Sequence, residues 1–135
     1  MSERERTRAG TIVMAAFLDL VLVHVFVTIG RSSHHETVGM AGIGSTAWPF
    51  IVALAAGWLV SLQWRHPLAV WPTGVAIWAV TVGGGLLLRV VSGQGVQFAF
   101  VLVATITLAV FLLGWRLATL LVMRRSRRRV ETMTR

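Results

Sequence analysis

Apolar positions fall into four long blocks along this chain, at residues 11–30, 46–63, 71–91 and 96–122, separated by short polar breaks. A helix rises 1.5 Å per residue and needs about 20 apolar residues to cross a hydrocarbon core of roughly 30 Å. Each block therefore predicts a transmembrane helix. The first is longer than the apolar stretch of a signal peptide, about 7–15 residues, and Gly30-Arg31-Ser32 makes a poor cleavage site, so it reads as a permanent span. In the second, Ser45 or Thr46 suits the N-cap. Pro49 would then fall in the first turn, where its missing N–H is harmless. Trp48 and Trp64 bracket this span like an interfacial belt. The fourth, continued to Met123, would be about 40 Å long and must tilt or project. The short breaks at 65–70 and 92–95 make the helices they join antiparallel neighbours. The predicted fold is all-α and integral to the membrane: an up-down antiparallel bundle of four helices in one domain over residues 11–123. Residues 1–10 read as an N-terminal segment and 124–135 as a basic tail.

Composition agrees. The chain is 56% hydrophobic and only 13% charged, against about 45–50% and 25% in soluble domains, and its mean hydropathy is +0.74. With no cysteine, disulfides and thiolate metal sites are excluded. The 13 basic residues are all Arg, which reads as codon composition rather than as a demand for bidentate anion contacts. The net charge of +8 does not point to nucleic acid, because the arginines flank apolar spans. There they set topology and meet lipid headgroups. With the N-terminus inside, Arg4, Arg6, Arg8, Arg65, Arg124, Arg125, Arg127, Arg128, Arg129 and Arg135 are cytoplasmic and only Arg31 and Arg89 lie outside. Both termini are thus expected in the cytoplasm, in a multi-pass protein of the plasma membrane, with the basic tail on anionic lipid headgroups.

Asp19 interrupts the first apolar block. A carboxylate at bilayer depth costs on the order of 3 kcal/mol even on the lenient insertion scale, so it needs a partner, water or a proton. Arg116 lies about 10 Å from the end of the fourth helix and Asp19 about 12 Å from the start of the first, so the two share a depth. A buried Asp19–Arg116 pair that locks the first helix to the fourth is the primary reading; a titratable Asp19 used in transport is the second. His24 is turned roughly 140° away from Asp19. It reads as a hydrogen-bonded interior histidine, or else as a proton relay. Arg31, His34, His35, Glu36 and Arg89 form an outer polar cluster that reads as a solvated loop or else as an organised site for an anion or headgroup, with too few ligands for a metal. Gly83-Gly84-Gly85 lacks the context of a phosphate loop and reads as a close-packing or kink site. Gly57-Trp58 and Gly114-Trp115 occupy comparable places in the second and fourth spans, a weak sign of duplication.

Asp19-Leu20, the run from Ile29 to Glu36, Thr46-Ala47-Trp48-Pro49-Phe50, Gly57-Trp58-Leu59, Leu88-Arg89 and Gly114-Trp115-Arg116 together resemble the family known as domain of unknown function 3054. The resemblance runs from about Ala15 to Arg116. It implies a small four-span membrane protein and brings no activity with it.

The leading functional reading is a transporter or channel-like oligomer for a small solute or ion, with Asp19 as its buried carboxylate. The alternative is a non-catalytic accessory or assembly protein whose Asp–Arg pair is structural, acting as a homo-oligomer or within a larger membrane complex. No catalytic residues and no cofactor are expected, because neither paired carboxylates nor a nucleophile–base arrangement is in evidence.

Overall fold

The computed structural model describes residues 1–33 and 39–135. They form four α-helices, α1 (Glu3–Ser33), α2 (Met40–Ser61), α3 (Thr73–Val91) and α4 (Phe98–Met133), with a short 3-10 turn at Gln63–Arg65. All four are long and apolar enough to cross a membrane.

Both terminal helices outrun their apolar blocks. Residues 3–10 are rich in Arg and Glu, good helix formers. Ser2 and Glu5 close a capping box: Glu5 N–H donates to Ser2 Oγ at 3.3 Å and Ser2 N–H to Glu5 Oε2 at 2.7 Å. Most of the N-terminal segment is thus the first turns of α1, and most of the basic tail is the last turns of α4. Hydropathy marks where lipid ends, and these helices continue past that point.

α2 also starts earlier than the capping signal suggests, with Gly39 at its N-cap. Ser45 and Thr46 spend their hydroxyls inside the helix, both donating to the Gly42 carbonyl. Pro49 therefore lies in the helix interior. Having no N–H, it leaves the Ser45 carbonyl, four residues back, without its helical donor. Gln94 supplies the replacement from beyond α3: its Nε2 donates to Ser45 O at 3.0 Å.

The helices pack around a common core in the order α1, α2, α3, α4, with α4 returning to α1; the α2–α3 contact is the most extensive. Glycine makes that contact close. A Cβ on Gly57 would lie 3.3 Å from the Ile77 backbone, one on Gly84 would touch Ala53, and one on Gly85 would run into the Phe50 ring. Gly83 faces open space. The triple glycine is a packing surface, not a ligand loop. Phe50 meets Phe26 edge-on at 5.4 Å and Phe100 at 6.1 Å, joining α1, α2 and α4. Trp78 Nε1 donates to the Thr105 carbonyl at 3.0 Å, tying α3 to α4.

The bundle is apolar outside and partly polar inside. Phe17, Val52, Leu59, Leu87, Ile106 and Val110 are exposed, whereas Asp19, Gln63, Thr81 and Arg116 are fully buried. That inversion suits hydrocarbon as the surrounding solvent. α2 ends on Leu62 in the left-handed conformation, φ 53°, its N–H donating to the Leu59 and Trp58 carbonyls. Gln63 then clamps the following loop, its Nε2 donating to His66 O at 3.1 Å and Pro67 O at 3.2 Å.

Candidate functional site

Asp19 on α1 and Arg116 on α4 meet in the core, both at 0% exposure. Their contact is a two-pronged fork: Arg116 Nη1 donates to Asp19 Oδ1 at 2.8 Å and Nη2 to Oδ2 at 2.6 Å. Arg is the residue for this geometry because its planar guanidinium matches the two carboxylate oxygens. Nη1 also donates to the Leu112 carbonyl at 2.7 Å, folding the side chain back along its own helix.

Two tryptophans complete the arrangement. Trp58 Nε1, from α2, donates to Asp19 Oδ2 at 2.9 Å, and Trp115 Nε1, from α4, donates to Oδ1 at 2.8 Å. The Arg116 guanidinium also lies over the Trp115 ring at 4.6 Å. Each carboxylate oxygen thus accepts two N–H bonds. An ionised carboxylate has about four acceptor positions, and here four donors take them. A proton on either oxygen would have to displace a donor. The sequence contained a signal for these partners in its two Gly-Trp pairs, read only as a trace of duplication. Counting the acceptor positions that Asp19 presents against the two prongs of one Arg shows that further donors are needed.

His24 is not interior. It is exposed on the outward face of α1, beside a shallow groove whose lining includes Phe17, Val21 and Thr28. Its Nδ1 lies 2.8 Å from the Leu20 carbonyl. A carbonyl only accepts, so Nδ1 carries the proton. The helical angle that separates His24 from Asp19 is what places it outside the core.

Arg31 and Arg89 converge on one turn of α2. Arg31 Nη1 donates to Thr46 Oγ1 at 2.9 Å, and its guanidinium fills the space where Gly42 lacks a Cβ. Arg89 lies over Phe100 at 4.7 Å and donates to Gln94 Oε1 at 3.0 Å, and Gln94 in turn holds Ser45. His34, His35 and Glu36, the rest of the predicted cluster, lie outside the described residues. Among the described residues no group of three or more His, Asp or Glu side chains is placed to hold a metal. Arg124, Arg125, Arg127, Arg128 and Arg129 are exposed along the last turns of α4.

Comparison with family models gives a match over residues 16–119 to a family described as a protein of unknown function, DUF3054. The matched stretch contains Asp19, Trp58, Trp115 and Arg116. Comparisons with curated proteins and with solved structures give no match.

Proposed function

The chain belongs to the DUF3054 family of proteins of unknown function, and from that premise we propose that it is a multi-pass protein of the cytoplasmic membrane whose buried Asp19–Arg116 pair is structural. In this reading it is a non-catalytic accessory or assembly component. The observation that carries the proposal is the saturation of Asp19. Four N–H donors from two other helices occupy its oxygens, and a coupling carboxylate must be able to release such partners to take up a proton or cation. The pair then works as a fastener that fixes α1, α2 and α4 in register, and function falls to the surfaces that the fastened bundle presents. In this reading successive helices run antiparallel. Both termini are cytoplasmic, as the Arg asymmetry supports, and the basic end of α4 lies among anionic headgroups. The partner is a second copy or another membrane protein.

The test compares Asp19→Asn, Arg116→Gln and the double variant for folded yield in detergent and for proton-linked flux in liposomes. The structural reading expects both single variants to lose folded protein, since each leaves a buried group unpaired, at about 3–5 kcal/mol. It expects the double variant to recover. An Asp19→Asn protein that folds normally but loses a flux present in the wild type would establish the transport reading instead.

A further inference from the structure

We propose that the bundle holds a buried water site between Arg116, Gln63 and the start of α3, beside the ion pair. Arg116 has five N–H bonds. Asp19 takes two and Leu112 a third. Its Nε is buried without a partner. Gln63 is fully buried and uses its amide nitrogen on the loop, leaving Oε1 buried and unpartnered. Thr73 Oγ1, at the first position of α3, is likewise buried without a partner. The three are a donor, an acceptor and a hydroxyl that can be either, a set that water can satisfy and lipid cannot.

The packing around Gly74 sets the Arg116 side chain, and the loop that Gln63 grips, against the start of α3. A Cβ there would lie 2.6 Å from the Ala69 carbonyl and 3.4 Å from Arg116 Cδ. Nε is bonded to that Cδ, so it sits over the start of α3. Thr73 is the neighbouring residue. Gln63 grips the carbonyls of His66 and Pro67, just ahead of Ala69 in the same loop. A buried water typically makes about three hydrogen bonds. This one would accept from Arg116 Nε and donate to Gln63 Oε1, with Thr73 as its third contact. The site goes beyond the structural reading of Asp19, because it follows from the Arg116 Nε–H that Asp19 and Leu112 leave unused and would exist in a transporter as well.

The experiment is nuclear magnetic resonance of the full chain in detergent micelles, reading transfer between water and the Arg116 Nε–H. The Trp58 and Trp115 indole N–H signals serve as the control that the Asp19 site is intact. The wild type is expected to show a bound-water cross-peak at Nε–H, and Gln63→Leu to lose it while keeping both indole signals. A wild type with no water cross-peak, or with contact only between Nε–H and the Gln63 side chain, overturns the proposal, as does a folded Gln63→Leu that keeps the cross-peak. Should Gln63→Leu fail to fold, the wild-type spectrum decides alone.

Discussion

Replacing Trp58 by Phe keeps a ring between α1 and α2 but removes one N–H from Asp19. Oδ2 is left with Arg116 Nη2 as its single remaining donor. A hydrogen bond to a charged group contributes about 1.5–3 kcal/mol net. The smaller ring also loses packing contacts, on the order of 1 kcal/mol at about 0.1–0.2 kcal/mol per atom pair. Trp58→Phe should therefore destabilise the bundle by about 2–4 kcal/mol. Trp115→Phe removes the matching bond on Oδ1 and also weakens the contact between the indole face and Arg116, so it should cost more. The double variant should depart from additivity by about 0.5–3 kcal/mol, because both donors act on one carboxylate. Reversible unfolding in mixed micelles, followed by circular dichroism, measures each value. Trp71→Phe is the control: Trp71 is 76% exposed, and its loss should fall within about 0.5 kcal/mol of zero. If Trp58→Phe is indistinguishable from Trp71→Phe, the indole bond contributes nothing and the saturation argument fails.

Two further outcomes follow from the packing. Gly85→Ala should destabilise by about 1–3 kcal/mol, because the Phe50 ring it meets is fully buried and braced by Phe26. Gly83→Ala, in open space, should be neutral or stabilising by up to about 1 kcal/mol; thermal unfolding in detergent separates the two. Gln94→Leu should cost about 0.5–1.5 kcal/mol by removing the donor to the exposed Ser45 carbonyl. In a Pro49→Ala background, where the helix regains its own donor to Ser45, most of that loss should vanish; equal losses in both backgrounds would sink the link between Pro49 and Gln94.

The spans were legible because lipid imposes one thickness on every helix, and apolar run length reports it. Helix ends were not, because Glu3–Gly10 and Arg124–Met133 stay helical through propensity and capping after hydropathy has fallen. The shared depth of Asp19 and Arg116 follows from counting residues at 1.5 Å each, and the structure places those two side chains in contact. His24 was misjudged because a polar side chain in an apolar block suggests the interior, whereas here its ring proton goes to its own helix at Leu20. Trp58 and Trp115 are hard to see as ligands because two matched Gly-Trp pairs read first as a trace of duplication, and neither pattern points to Asp19 on another helix. Gln94 and Pro49 could be paired only in three dimensions, since nothing in either local pattern points to the other.

The wide spacing of Asp19's partners along the chain has a consequence in time. Trp58 follows it by 39 residues and Arg116 by 97. At about 5–20 residues per second, the ribosome needs roughly 5–20 s to deliver Arg116 after Asp19 has emerged. Throughout that interval α1 carries a carboxylate whose counter-ion has not yet been made. The nascent protein must wait in a setting that tolerates the charge, at the wet edge of the bilayer or inside the insertion machinery. Release into lipid becomes favourable once α4 arrives, so the last helix made governs when the first can settle.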